Sequence, residues 1–529
     1  MNTFWRQGEP FVWLTATAMT VTLLITLTLI GVVMINGLGY FWPSRLIELT
    51  LTDGTHVMGR VTQEDTMPNG SGKRLQLKVG NRDLYGMDFR WINGSDIHDQ
   101  TYPVDAVAVE RMEYGDFYGY LQTVTIPGLL KPPADPWDAL SDTRRKLRRK
   151  EKELEAINAK MSKLNYRQRQ IRLKRQKLEY QKKPHVEIKK LTDMEVQLGQ
   201  AFEEMLVTHN QKIEELRRYT ATFADANGQT KEIPMVDIVR VYRPNQMGVG
   251  AKIGFYAGKI KELLLSEPRE SNTEGGLFPA IFGTVMMVFL MSLFSMPMGV
   301  IASIYLREYA KEGLFVQLVR IAVNNLAGVP SIVYGVFGLG FFVYGVGGSI
   351  DHLFFPERLP TPTFGTGGIL WASLTMALLT VPVVIVATEE GLAAVPQGIR
   401  EGSLALGATK FQTLIKVVLP MASPGILTGF ILAMARAAGE VAPLMIVGVV
   451  KLAPALPLDA NFPFFHFDRK FMHLGFHIYD IGFQSPNVEA AKPMVYVTTL
   501  LLVSVVLLMS MTAIYLRNSI RKKYQTGAF

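Results

Sequence analysis

Apolar positions along this chain fall into six long runs, separated by polar stretches of very unequal length. The runs lie near Phe11–Ile35, Pro279–Leu306, Ile321–Val346, Gly368–Thr388, Ser423–Val449 and Met494–Leu516. Crossing a bilayer takes about 20 residues of apolar helix, and every run meets that length. The pattern predicts an α-helical polytopic membrane protein with six transmembrane helices. Phe11–Ile35 is too long for the apolar region of a secretory signal and lacks a small-x-small cleavage site before Gly37–Pro43, so a retained first helix is expected.

Between the first and second runs the pattern changes twice. Leu46–Thr52 alternates, Asp53–Gly54 is a hairpin turn signal, and His56–Thr62 returns. Leu75–Val79, Gly80–Asn81 and Arg82–Ile92 repeat the theme, and Val104–Met112 reads as a further strand. Pro132, Pro133 and Pro136 close this region. From Trp137 to Lys183 the period becomes helical: Leu140, Leu147, Leu154 and Met161 recur every seven residues, with Ile157, Leu164, Ile171 and Leu178 offset by three. That is the seam of a coiled coil. Lys183–Pro184–His185 interrupts it, and Leu191, Met194, Leu198, Phe202, Met205, Ile213 and Leu216 stripe a second helix. An antiparallel coiled-coil hairpin is expected, its first arm reaching roughly 65–70 Å at about 1.5 Å per residue. Thr220–Ala224 and Ile233–Tyr242, across the Asn227–Gly228 turn, return to strands, so the hairpin reads as an insertion in an α+β module.

The expected organisation is a transmembrane helix in 1–39, a β region in 40–136, the hairpin in 137–219, and a second β region with linker in 220–271. The remaining spans occupy 272–529, with a polar loop at 389–420. Mean hydropathy is only +0.17 because the apolar runs are averaged with this charged insert. Absence of cysteine excludes disulfides, thiolate metal sites and thiol nucleophiles. Arg517, Arg521, Lys522 and Lys523 follow the last run, and basic flanks mark the cytoplasmic side. Both termini, Arg307–Arg320 and Glu389–Pro420 are therefore expected inside, and residues 36–278 outside. Long loops translocate largely regardless of charge, so the basic insert does not conflict with that orientation. The first arm, Arg144–Lys183, carries 17 Lys and Arg against 4 Asp and Glu. A solvated face, anionic lipid headgroups and a partner protein all suit it, whereas an external compartment speaks against nucleic acid.

The polar loop holds the most specific spacing. Glu401, Gly407, Val417, Leu419 and Pro420 form E-x5-G-x9-[IV]-x-L-P, and ARAAGEVAPL follows at 435–444 within the fifth run. The loop resembles the ATPase-coupling loop of bacterial ABC importer permeases, and the ARAAGEVAPL run is similar to the PstA-type permeases of phosphate importers. NTEGG at 272–276, GVIASIYLREYAKEG at 299–313 and NNLAGVPSIVYGVFGLG at 324–340 extend the resemblance across roughly 272–448. Residues 36–271 depart from it, because that loop is short in the family.

The resemblance implies a type I importer permease forming half of a phosphate pathway. Its implied partners are a PstC-like second permease, separate ABC ATPase subunits and an extracytoplasmic phosphate-binding protein, within a bacterial inner membrane. No cofactor, no metal and no catalytic residue is expected, and the absence of G-x4-G-K-[ST] puts ATP hydrolysis on another chain. ATPase coupling is assigned to Arg400, Glu401, Gly407, Leu419 and Pro420; Arg400 either anchors the coupling helix, meets the exiting anion or forms only a surface salt bridge with Glu401 beside it, while Gly407 suits a turn between short helices and Pro420 the start of a membrane helix. Arg436 and Glu440 stand four apart in the fifth run. A charge at mid-bilayer costs about 2.5–3.5 kcal/mol on insertion scales, so such residues face protein or water. Either the pair neutralises itself and packs the bundle, or the guanidinium meets phosphate oxygens as a fork while the carboxylate orients it. His466, Asp468, His473 and His477 cluster before the last run, and the His473–His477 spacing admits a metal pair, yet Phe-rich surroundings favour an interfacial helix. The rival readings are a permease for another oxyanion, sulfate or molybdate, and a membrane sensor or scaffold acting through its coiled coil.

Overall fold

The computed structural model describes residues 8–66, 72–129, 133–485 and 488–525; Pro132 lies outside them. After helix α1 (Glu9–Gly39) the chain builds two five-stranded antiparallel sheets. The strands are β1 (Ile47–Leu51), β2 (His56–Thr66), β3 (Lys73–Lys78), β4 (Phe89–Asn93), β5 (Ile97–Thr101), β6 (Val107–Arg111) and β7 (Phe117–Thr125). Beyond a helical excursion follow β8 (Thr220–Ala224), β9 (Thr230–Pro234) and β10 (Ile238–Tyr242). Their orders are β4-β3-β2-β1-β5 and β10-β6-β7-β8-β9. Alternation sets the first hairpin: Ile47, Leu49 and Leu51 are buried on one face, and Thr50 pairs with His56 across the Asp53–Gly54 turn. Arg82–Ile92, expected as one strand, instead begins with the helical turn Arg82–Tyr85. Strands β5 and β7 had no clear signal: β5 reads IHDQT, almost wholly polar and exposed.

Helices α2 (Pro136–Tyr180) and α3 (His185–Arg217) leave and re-enter the second sheet and pack along each other. Asp135 caps α2, its carboxylate accepting from the Trp137 and Asp138 amides. Only the base of this pair is in the core, where Leu140, Leu147, Leu154 and Leu216 pack with Phe117, Phe223 and Met235. Lys150–Glu215 (2.6 Å) and Lys212–Glu153 (2.7 Å) flank that base, and farther out Met161, Leu164, Ile171 and Leu178 are half-buried in a two-helix seam where Glu195 of α3 meets Arg172 (2.8 Å) and Arg175 (3.0 Å).

A buried ion network joins the sheets to the membrane helices. Lys78 Nζ meets Asp116 Oδ2 at 2.6 Å, Lys259 Nζ meets Glu110 Oε2 at 2.7 Å, and Arg269 Nη1 meets Glu262 Oε1 at 2.5 Å. Lys259 and Glu262 come from α4 (Val249–Leu265), an amphipathic helix the strand and seam patterns did not reveal. Tyr40, Phe41 and Met494 line the same small cavity, so the network closes on the ends of two membrane helices. Burial opposes ionisation of Asp116, but Lys78 and Arg60 outweigh it and hold its carboxyl well below the usual range.

Among the described residues, six helices are long and apolar enough to cross a membrane. They are α1, α5 (Phe278–Tyr309), α7 (Ser331–Phe354), α8 (Ile369–Ala393), α10 (Lys410–Gly439) and the Ala491–Lys522 part of α13 (Val488–Gln525). Helix α8 is the most enclosed, between α5 and α10, and Met287, Met291, Trp371, Met376, Ala437 and Ala438 fill the core. A Cβ at Gly283 would stand 2.0 Å from the Met472 carbonyl, so only glycine lets the loop before α13 lie on α5. Helix α1 makes its helix contacts with α13, with Gly37 against Leu500.

Two spans differ from their expected bounds. The third starts at Ser331, because Ile321–Leu326 belongs to a separate amphipathic helix, α6 (Leu314–Leu326), ended by the Gly328–Pro330 turn. The fifth runs from Lys410 to Gly439 rather than Ser423 to Val449. It absorbs Pro420 through a π-helical turn at Leu414–Val418, where a missing N–H is tolerated.

Candidate functional site

The loop between α8 and α10 is built as two short helical pieces around one glycine. Helix α9 (Gln397–Ala405) ends at Gly407, whose φ of +85° lies in the left-handed region. Thr409 then restarts the helix with a capping box: its hydroxyl accepts from the Gln412 amide (3.2 Å), and Gln412 Oε1 accepts from the Thr409 amide (3.0 Å). Arg400 points back into the bundle, donating through Nη1 to Glu308 and through Nη2 to the Leu392 carbonyl at 2.6 Å. Lys410 donates to the Glu308 carbonyl and stands over the Tyr309 ring. Ser403 and Thr413 share a hydroxyl contact of 2.9 Å. The loop is therefore tied to the ends of α5, α8 and α10 at once.

Its other face is open. Glu401 is exposed, Leu406 is 91% exposed and Phe411 61%, with Leu404 and Ile415 beside them. An exposed apolar strip rimmed by polar groups marks a protein contact surface. Sequence reasoning selected Arg400, Glu401 and Gly407 but passed over Glu308, Leu404, Leu406 and Phe411. The available signal was apolar residues recurring in a segment otherwise too polar to enter a membrane. Leu419 is half-buried at the start of the α-helical part of α10, and Pro420 follows inside the same continuous helix rather than at its start.

Arg436 and Glu440 come together, but not as neighbours on one helix. Helix α10 stops at Gly439, and Glu440 adopts extended geometry (φ −82°, ψ 135°) before α11 (Ala442–Val447) begins. Arg436 Nε and Glu440 Oε1 are 3.8 Å apart, with side chains 34% and 23% exposed. Pro443, which opens α11, lies so close to Gly335 of α7 that a Cβ there would stand 2.7 Å from the Pro443 Cα. The pair thus sits at a break in the fifth span, where freed backbone groups and charge coincide.

The histidines before α13 do not converge. His473 caps α12 (Leu474–Tyr479), accepting from the Gly475 amide at 3.1 Å; His477 Nε2 meets the Asn272 carbonyl (3.1 Å), and His466 pairs with Asp459 (3.1 Å). Burial pushes His473 down to about 3 and His477 to about 4, so both are neutral near pH 7. Among the described residues, no group of three or more His, Cys, Asp or Glu side chains is placed to hold a metal ion.

Comparison with known proteins bears on this geometry. The family model described as "binding-protein-dependent transport system inner membrane component" matches residues 278–522. A protein of Bacillus subtilis, the probable ABC transporter permease YqgI, is 30% identical over 223 residues, 41% of this chain and 70% of its own length. This chain belongs to that permease family. The probable phosphate transport system permease PstA of Methanocaldococcus jannaschii is 35% identical over 189 residues, 35% of this chain and 60% of that one. The PstA of Mycobacterium leprae is 34% identical over 173 residues, 33% and 51% of the two chains. The chain thus spans 51% to 60% of the length of these two relatives. The permease region contains α5 to α13 with both candidate sites, whereas the two sheets and the α2–α3 pair precede it. With the type I ABC importer permease fold and six spans, the chain is a multi-pass inner-membrane protein.

Proposed function

We propose that this permease imports inorganic phosphate, forming half of a transmembrane pathway completed by a second, PstC-like permease. Separate ATPase subunits dock on the α9–Gly407 loop, and an external phosphate-binding protein delivers the anion to the opposite face. Both termini and the loop are cytoplasmic in this reading, and residues 36–278 are external. Arg436 offers a planar, permanently charged fork to the anion at the break in the fifth span, and Glu440 keeps that fork oriented and the site shallow. Arg400, Glu401, Gly407, Leu419 and Pro420 form the coupling element, and Glu308 relays its motion to α5.

The observation that carries the coupling half of this reading is the exposed Leu404–Leu406–Phe411 strip on a loop anchored to three membrane helices. The substrate half is supported by relatives whose names state phosphate transport. The test is a proteoliposome assay of this chain with its second permease and ATPase, with phosphate-loaded binding protein outside. ATP hydrolysis should rise with phosphate-loaded and not with sulfate-loaded protein. Equal stimulation by sulfate would transfer the assignment to a general oxyanion permease.

A further inference from the structure

Helix α2 does not project freely from the sheets. Its distal half lies against the loop that joins α7 to α8, and Tyr166 donates to the Phe462 carbonyl of the loop before α12. Both loops are at the ends of α8 and α10 opposite the coupling loop. A cavity of about 460 Å³ separates the helix from them, lined by Arg169, Arg172, Arg358, Thr361, Thr363 and Asp468 among others.

Three guanidiniums thus face one carboxylate across a polar space. Arg169 and Arg172 are three residues apart and share a face of α2, a placement that repels unless an anion lies between or near them. Glu195 of α3 holds Arg172 Nε at 2.8 Å, and Arg169 has no ion pair among the described residues. Arg358 is fixed from the other wall: it stacks on Phe355 at 4.5 Å and donates Nη1 to Thr363 Oγ1 at 2.9 Å. Its Nε is buried without a hydrogen-bond partner among the described residues, an unmet donor on a charged group. Next to Thr366 of the cavity lining, Gly367 and Gly368 pack directly on Val447 and Gly448, at the end of α11. That six-residue helix is about 9 Å long and starts beside Glu440.

We propose that this cavity is an external phosphate site, in which Arg169, Arg172 and Arg358 hold the hydrated anion between the α2 helix and the outer loops before it enters the pathway. The proposal rests on the phosphate reading above. Its volume suits phosphate with part of its water shell. With Arg172 paired to Glu195, Arg169 and Arg358 against the one lining carboxylate, Asp468, still leave an excess of positive charge that attracts anions and concentrates them at the mouth. Asp468 supplies selectivity: an ionised carboxylate is an acceptor only, so it accepts from the P–OH of a protonated phosphate and repels fully deprotonated sulfate. The insert therefore adds a binding step to the permease, and the arginine-rich face of α2 has a defined ligand.

The experiment measures binding of radiolabelled phosphate to the full chain in phosphatidylcholine nanodiscs, in an Arg436→Gln background that removes the inner site. Phosphate binding should persist there, and Arg169→Gln with Arg358→Gln should weaken it by at least about tenfold. Arg358→Lys should recover part of the loss, separating a charge role from misfolding. Sulfate should compete poorly, and Asp468→Asn should raise its competition. Adding anionic lipid to the nanodisc should leave binding unchanged; displacement by it would make the ligand a lipid headgroup and overturn the free-ion assignment. Binding that is unaffected by the arginine changes, or equal for sulfate in the parent, overturns the site. The import reading is judged separately by uptake: outer-site variants with normal phosphate KM would sink this inference while leaving import standing, whereas a wild-type transporter indifferent to phosphate would sink the import reading.

Discussion

At the residue scale, the informative positions are those whose chemistry conflicts with their surroundings. Arg436 is charged inside an apolar helix, and its carboxylate partner follows a helix break at 3.8 Å. An anion crossing low dielectric without a counter-charge faces a prohibitive barrier, and one guanidinium lowers it while remaining shallow enough for release. Arg436→Gln should abolish most phosphate uptake, and Arg436→Lys, which keeps charge but loses the fork, should retain part of it. Adding Glu440→Gln to Arg436→Gln removes the unpaired carboxylate and should recover any lost expression without recovering uptake. Normal uptake by Arg436→Gln alone would reduce the pair to a packing contact. The histidines show the opposite case: their spacing admits a metal pair, but each ring meets a different neighbour, the Gly475 amide, the Asn272 carbonyl and Asp459, and those contacts follow from tertiary packing.

At the element scale, the proposed coupling loop depends on one backbone conformation and one surface. Gly407 at φ +85° separates α9 from the capping box of Thr409, and a β-branched residue there is strained whatever the space around it. Gly407→Val should leave membrane insertion intact while ATP hydrolysis no longer drives uptake, read as a fall in phosphate transported per ATP. Leu406→Asp leaves the backbone alone and places a charge on the exposed strip, so it should weaken ATPase co-purification without affecting the fold. Unchanged transport stoichiometry in both variants would remove the coupling role from this loop. The loop's position and its turn were legible because a polar stretch between apolar runs, with a glycine at a fixed distance, has few structural solutions. The apolar strip was less legible, because exposure depends on what the bundle leaves uncovered. Similarly, Pro420 suggested a helix start, yet a π-helical turn just before it let the helix begin ten residues earlier, at Lys410.

At the scale of the whole molecule, the insert and the membrane bundle share a buried boundary, and that boundary decides how the chain can be cut. Leu140, Leu147, Leu154 and Leu216 belong to the core of the second sheet, so deleting all of α2 and α3 would open it. Replacing residues 158–209 with a short Gly-Ser linker spares those four leucines and the Lys150–Glu215 and Lys212–Glu153 pairs. This trimmed chain should insert normally and transport at the wild-type rate in saturating phosphate, with KM raised several-fold by loss of Arg169 and Arg172. Complete loss of uptake in a well-inserted trimmed chain would place the helix pair in the transport machinery itself.

The sequence alone determined the six membrane helices, because an unbroken apolar run of this length satisfies its backbone in a bilayer by forming a helix, and the composition of such a run cannot be disguised. It also determined that strands lie in the insert, since period-two alternation and the Asp53–Gly54 turn are local signals. Tertiary structure decided the rest. The break at Glu440 follows from packing of α11 on Gly335, the joint between insert and bundle from charges that meet only when β2, β3, β6, β7 and α4 converge, and the arginine-lined cavity from where α2 comes to lie. Those features join residues far apart in the chain, and no period or short motif records which distant side chains will share a desolvated space.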